Sequence, residues 1–403
     1  MIRLVGAPAA ILLLLACAPA AHAADPETVA GGLQFPAGIA FDSDGTMFVT
    51  EREGRMLAFE KGRSRVVATV QTTTSGEAGL LGIAVSPDDR FVYAFATAAD
   101  GASNVVYRVR SSGGDPEIVV DGLTASSYHN GGGVAFGDDG MLYVSNGEGH
   151  ETSRAQDPDQ LGGKVYRFTP EGRVPADNPF GNSPAYAIGL RNPFGLAIDP
   201  VSGAPFVTEN GPTSHDEINR IDAGGNYGWP ITSGPATEGQ DTESLRGDYH
   251  DPLLDYEAII VPTGIAFADP DNAQPRFRGD LFFATFGDQT IHRVSLNEQR
   301  DRVVEDKVFF QSPEPVIALA WGPKGLYLST PGSVKLFRLV AKGAAPGTRG
   351  SLPTDFPSAR FSIAGDAPPR GSDEGFPTAL FLVGGAVLLV AGALAFAFWP
   401  RHR

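Results

Sequence analysis

One pattern recurs six times along this chain and restricts the folds open to it. Each copy opens on a small residue, an aliphatic residue, an alanine and a hydrophobic residue, followed by a turn and then a β-rich run. The copies read "GIAFDSDGTMFVTE" from Gly38, "GIAVSPDDRFVYAFAT" from Gly82, "GVAFGDDGMLYVSN" from Gly133, "GLAIDPVSGAPFVTEN" from Gly195, "GIAFADP" running on to "RGDLFFATF" from Gly264, and "ALAWGPKGLYLST" from Ala318. Self-similarity at intervals of about 44 to 69 residues marks propeller blades that carry insertions. Within each copy a short apolar strand meets a turn of the Asp-Gly, Pro-Asp-Asp or Pro-Lys-Gly kind, and a second strand alternates apolar and polar residues. A third run often follows, as in "NVVYRV", "GKVYRF" and "VKLFRL". No sustained helical period interrupts residues 27–340. The expected fold class is all-β, a six-bladed β-propeller over residues 27–340. A pair of β-sandwiches is the competing architecture.

The two ends read differently. Residues 1–23 have the form of a secretory signal peptide: Arg3, an apolar run, and Ala21-His22-Ala23 as the cleavage site. Cys17, the single cysteine of the chain, lies inside that segment, so the remainder holds no disulfide; a lipid attached at Cys17 is the alternative. Residues 341–376 are rich in Pro, Gly, Ala and Ser and read as a flexible linker. Residues 377–399 form an uncharged apolar run long enough for a transmembrane helix. Arg401 and Arg403, in the tail 400–403, place that tail in the cytoplasm. The expectation is a propeller held on the extracytoplasmic side of the cell membrane by a single-pass C-terminal helix. A net charge of −16 argues against a nucleic-acid partner, because phosphate binding requires clustered cations.

A propeller binds ligands where the loops entering its innermost strands converge at one mouth of the channel. Those entries read "FPAGIAF", "AGLLGIAV", "YHNGGGVAF", "LRNPFGLAI", "VPTGIAF" and "PVIALAW". If all six face one mouth, Glu77, His129, Arg191 and Asn192 meet there from distant positions. His129 could act as a general base near neutral pH, or be a satisfied structural histidine. Arg191 could stabilise negative charge developing on an oxygen, with Asn192 adding a hydrogen bond. Gly131, Gly132 and Gly133 would leave room for a flat ligand against the backbone. A second dense stretch, "VTENGPTSHDEINRIDAGGNYGWP" at residues 207–230, offers Glu209, Asp216, Glu217 and Asp222 as hard oxygen donors. It suits calcium, though not with EF-hand spacing, or it is a capped turn with an acidic face.

Five segments in order, "GEAGLLGIAVSPDD", "HNGGGVAFGDDGMLYVSNGEG", "GKVYRFTPEGRVPADNPF", "GLRNPFGLAIDP" and "ENGPTSHDEINRIDAGGNYGWP", resemble the glucose/sorbosone dehydrogenase family. These are soluble sugar dehydrogenases dependent on pyrroloquinoline quinone (PQQ), and the resemblance covers about residues 30–340. It implies a six-bladed propeller. It implies that His129 takes the sugar hydroxyl proton as hydride passes to the quinone, and that Arg191 and Asn192 contact the quinone oxygens. The carbonyls of Gly211 and Pro212 would hold a catalytic calcium against PQQ, and Glu217 and Tyr227 a second, structural calcium. Glu77 falls where the soluble glucose enzyme has a glutamine near cofactor and sugar. The chain also departs from the pattern. Gly133 replaces a usual arginine, Tyr128 stands where an acid precedes the family's catalytic position, and Gly147 replaces an aspartate with Glu148 beside it. The cations of the last two blades that grip the cofactor's carboxylates have no counterpart in "FATFGDQTIHRV" and "FFQSPEPVIALAW"; His292, Arg293 and Lys307 are out of register.

The function implied is an exported, membrane-tethered oxidoreductase that oxidises an aldose or related sugar alcohol with PQQ and calcium, passing electrons to an external acceptor. The alternative is a non-catalytic, calcium-stabilised propeller that binds glycans or a protein partner at the cell surface. A calcium-dependent lactonase using Glu77, Glu148 and Glu209 is a third.

Overall fold

In a computed structural model, which describes residues 25–340, the chain forms six four-stranded antiparallel sheets arranged as blades around a channel. The innermost strands are Pro36–Phe41, Leu80–Val85, Val134–Phe136, Pro193–Ile198, Pro262–Phe267 and Leu319–Gly322. Blades 1 to 6 are numbered by these strands. In blades 1, 2, 3 and 5 the four strands follow one another in sequence; in blade 4 the outer strand, Leu254–Tyr256, comes after a long excursion. Blade 6 is completed from the other end of the domain. Strand Glu27–Gly31 pairs antiparallel with Ser333–Arg338, so the first strand supplies the outer edge of the last sheet and closes the ring.

The repeat has a direct physical meaning. The second strands, such as Met47–Glu51, Leu142–Asn146 and Pro205–Glu209, are buried at every position because they have a sheet on both faces. Their near-terminal Thr or Ser does a specific job. Thr208 Oγ1 accepts the Gly195 N–H at 2.8 Å and donates to the Thr263 carbonyl of the next blade at 2.7 Å. Thr263 Oγ1 in turn donates to the Val316 carbonyl at 2.7 Å, and Thr50 Oγ1 reaches the Leu81 carbonyl. These hydroxyls tie one innermost strand to the next. The glycine in the strand head follows from the same contact: a Cβ at Gly195 would lie 2.2 Å from the Thr263 carbonyl oxygen. Four innermost strands also shift register near their start, which turns the preceding residues toward the channel mouth. Between the blades lie apolar clusters, one built on Tyr93, Phe95 and Tyr166 and another on Phe206, Phe267 and Phe283.

The expected membrane attachment is corrected. Among the described residues no helix is long and apolar enough to cross a membrane, and the helical segments Thr152–Gln156 and Pro275–Phe277 are short 3₁₀ turns. A span needs about 20 residues. The segments that carried the expectation, the signal peptide 1–23 and the transmembrane helix 377–399, lie outside the described residues, as do the linker 341–376 and the tail 400–403. The fold class is therefore an all-β six-bladed propeller. Membrane tethering, a membrane partner and a single-pass location are not carried forward.

Replacing Thr208 by Val keeps the shape of the side chain but leaves the Gly195 N–H and the Thr263 carbonyl without this partner. Thr208→Val is expected to destabilise the propeller by about 2–4 kcal/mol, read from the denaturant midpoint, and Thr208→Ser by much less.

Candidate functional site

The connectors that enter the six innermost strands do converge. Each contributes a residue to one open-mouthed cavity: Phe35, Glu77, His129, Arg191, Val261 and Ile317, in blade order. Loops that follow the second strands add Arg52, His150, Asn210, Gly211 and Phe286. The cavity is open to solvent and spans about 1160 Å³ when its mouth is counted.

His129 sits at φ 58°, in the left-handed region, which is uncommon outside glycine although histidine enters it more readily than most residues. Its backbone N–H donates to Glu77 Oε2 at 2.9 Å, and its ring Nδ1 is hydrogen-bonded to Glu148 Oε1. The ring of His150 stacks on it, centroids 4.1 Å apart. Burial pushes the imidazole down to about 4, against the opposing pull of Glu148. A carboxylate at Nδ1 fixes the Nδ1–H tautomer, so Nε2 is the basic nitrogen. His129 is thus a neutral base over most of the pH range. His129, Glu148 and His150 are also the described trio of donors close enough to share a metal ion. Their geometry speaks against one: the two rings are stacked, so their in-plane lone pairs run side by side instead of converging, and Nδ1 is already engaged.

Asn192 is a tie between connectors. Its amide nitrogen donates to Glu77 Oε2 at 3.2 Å and its Oδ1 accepts the Gly131 N–H at 3.0 Å. Arg191 donates to the carbonyls of Asn210 and Gly211 at 2.8 and 3.0 Å, and its guanidinium lies 5.6 Å from the Trp229 ring centre. Glu209 Oε1 accepts the N–H groups of both Arg191 and Asn192 and so sets the turn that presents them. The glycines at 131–133 are required by packing against the neighbouring blades, and they line a separate, smaller cavity in the channel. A Cβ at Gly131 would lie 2.9 Å from Asn146 Cα, and one at Gly133 would lie 2.5 Å from Leu196 Cβ. They let the connector pass between neighbouring blades, and that close passage positions His129.

A smaller cavity lies behind Arg191, lined by Glu209, Gly211, Glu217, Tyr227 and Thr232 among others. Glu209 Oε2 and Thr232 Oγ1 are buried there without hydrogen-bond partners. Burial raises the carboxyls of both Glu209 and Glu217, the latter to about 7. Two acidic groups, an orphan hydroxyl and nearby carbonyls form a donor set of the kind that calcium takes. Tyr227 could offer only its backbone carbonyl, because its hydroxyl donates to the Arg220 carbonyl at 2.6 Å and accepts the Asp222 N–H at 2.9 Å. Asp222 pairs with Arg220, and Asp216 accepts the N–H groups of Gly211, Ile260 and Val261; neither lines this smaller cavity, whereas Glu217 lines it while accepting the Asn219 amide and the Gly234 N–H at 2.9 and 2.7 Å. Gly211 and Pro212 line the main cavity, the Gly211 carbonyl already holding the Arg191 guanidinium.

The family model for glucose/sorbosone dehydrogenases matches residues 33–338. The chain belongs to this family. It is 30% identical over 354 residues to the aldose sugar dehydrogenase YliI of Escherichia coli K12, a match covering 79% of this chain and 94% of that one. It is 31% identical over 254 residues to quinoprotein glucose dehydrogenase B of Acinetobacter calcoaceticus, covering 52% and 53%. Its fold is similar to that of the PQQ-bound aldose sugar dehydrogenase of Streptomyces coelicolor, with a TM-score of 0.67, 32% identity, and 77% and 95% coverage. Homology therefore supports an oxidoreductase at the level of the family.

Fit to PQQ is divided between the two ends of the cavity. At one end stand His129, Arg191 and the Gly211 and Pro212 carbonyls, a set suited to a quinone and a cation. At the other, blades 5 and 6 present Ile259, Val261, Phe286 and Ile317. The cations of blade 5 lie elsewhere: Arg293 pairs with Asp280, and Lys307 with Glu305. Blades 5 and 6 offer three carboxylates no counter-charge there; the one cation near that wall is Arg52 of blade 1, over the Phe35 ring and donating to the carbonyls of Ala78, Thr74 and Gly76. The sequence offered Glu209 as a metal donor and Glu148 as a lactonase carboxylate, but the bond of Glu148 to His129, the hold of Glu209 on the Arg191–Asn192 turn and the stacking of His150 were not anticipated.

Adding calcium to metal-free protein is expected to raise the melting temperature through preferential binding to the folded state. The increment should be larger at pH 8 than at pH 5, where protons compete for the carboxylates, and Glu217→Gln should abolish it.

Proposed function

We propose that this family member oxidises a CH–OH group of an aldose or related sugar alcohol, with His129 as the base. One observation carries the reading: a neutral histidine, its Nδ1 held by Glu148, lines the same cavity as a buried guanidinium. Nε2 of His129 would take the hydroxyl proton. Arg191 would stabilise negative charge on the oxygen atoms at that end of the cavity, in a setting where burial strengthens its field. Glu77 and Asn192 position both groups through the hydrogen bonds that join their connectors. A bound quinone would supply the two-electron sink, as PQQ is named for the Streptomyces relative. Calcium, where the carbonyls of Gly211 and Pro212 hold it, would polarise that end further. An external acceptor would then reoxidise the site. The apolar wall of blades 5 and 6 favours a second reading, a propeller that binds a ligand without turnover.

The test is turnover of an aldose panel by the full-length chain with calcium, a quinone and a dye acceptor. His129→Ala should lower kcat/KM by about 10²–10⁴-fold. In the unaltered chain the acid limb of kcat/KM should fall near pH 4, well below that of an ordinary histidine, because the base is lost only when Nε2 is protonated. Glu148→Gln should lower kcat and move that limb to still lower pH, since Glu148 draws the imidazole upward. No turnover of any aldose, or full turnover in His129→Ala, would leave the binding reading.

A further inference from the structure

The apolar wall of the cavity is built at a cost that an ordinary core residue would not incur. Val261 has φ 55° and Phe35 φ 49°, both in the left-handed region and both directly ahead of a proline. A β-branched residue is rarely found there, at a cost on the order of 1–3 kcal/mol. Asp216 holds the turn by accepting the N–H groups of Ile260 and Val261 at 2.7 and 2.8 Å, and the Val261 carbonyl accepts the Phe286 N–H at 2.8 Å. Val261, Phe286 and Ile317 form their own small cluster, with Phe35 and Ile259 packed against it, distinct from the clusters between blades.

Charge on the rest of the wall is already balanced. The cavity is lined by two guanidinium groups, Arg52 and Arg191. Arg52 donates to the carbonyls of Ala78, Thr74 and Gly76, and Arg191 to those of Asn210 and Gly211. Glu77 and Asp216 line the same space. A polyanion entering here meets the carboxylates of Glu77 and Asp216 and the carbonyl-bound Arg191 at one end; at the other it meets hydrocarbon, with one cation at its edge, Arg52, 5.5 Å from the Phe35 ring and already donating to three carbonyls. Burying unpaired carboxylates is strongly unfavourable.

We propose that the cavity takes an uncharged quinone, its carbonyl end at His129 and Arg191 and its ring body on Phe35, Ile259, Val261, Phe286 and Ile317. The proposal rests on reading this cavity as the redox site. It departs from the tricarboxylate cofactor named for the Streptomyces relative, and it assigns ligand choice to blades 1, 5 and 6.

The experiment is equilibrium binding to the full-length chain in calcium, followed by tryptophan fluorescence, with PQQ and its trimethyl ester as probes. The two share a ring system and differ in three charges. The ester should bind at least tenfold more tightly than PQQ. Phe286→Lys with Ile317→Arg should reverse that order. Ile259→Lys, at a half-buried rim position, should shift the ratio in the same direction and serves if the double variant fails to fold. PQQ binding as tightly as the ester, or neither probe binding, would overturn the proposal. The ratio needs no turnover, so the ligand preference and the sugar oxidation are read separately: a preference for the ester without sugar oxidation would count against the dehydrogenase reading and not against the charge selectivity of the cavity.

Discussion

A single carboxylate oxygen organises the polar side of this cavity. Glu77 Oε2 accepts the backbone N–H of His129 and the side-chain amide of Asn192, residues that lie 52 and 115 positions further along the chain. Glu77, His129 and Asn192 stand on three successive connectors between blades. The carboxylate thus holds in register three loops that the sheets alone position only approximately. Burial raises the pKa of Glu77, so the bonds it accepts offset a real desolvation penalty. The same bonds impose the left-handed backbone of His129 and turn its ring toward Glu148.

Around that tie the propeller behaves as a ring of interlocked hydroxyls. Thr50, Thr208 and Thr263 each bridge to a neighbouring blade, and strand Glu27–Gly31 closes the circle from the far end of the domain. A closed ring with short innermost strands leaves the connectors little freedom. This rigidity matters for chemistry, because a base and a charge-stabilising guanidinium must hold their places within fractions of an ångström. The cavity is then divided by chemistry: blades 2 to 4 are polar, and blades 5 and 6, with Phe35 of blade 1, are apolar.

The blade repeat was legible because each head carries the same physical demand, a small residue where the next strand abuts and a hydroxyl to bind it. Convergence of the connectors followed from the repeat alone. The partner of His129 was not legible: Glu148 lies 19 residues away, at the end of a neighbouring strand, and only the register of that sheet brings it to Nδ1. The glycines at 131–133 were read as room for a ligand, and the packing reason for them was not legible: a Cβ there would meet Leu196 or the backbone near Asn146. The atom that Tyr227 could offer beside Glu217 was not legible either: its hydroxyl is spent on the turn at residues 220–222, which leaves the backbone carbonyl. That the cations of the last two blades are out of register with the family's clamp was visible in the sequence. What replaces them needed the fold, since Phe35, Val261, Phe286 and Ile317 lie far apart until the ring closes.

The account turns on the state of one imidazole. Nitrogen-15 NMR of histidine-labelled protein, titrated from pH 7.5 to 4, reads it directly. The account predicts that His129 carries its proton on Nδ1, is neutral at pH 6.5, and titrates near 4. A His129 that is protonated at pH 6.5, or that carries its neutral-form proton on Nε2, would contradict it.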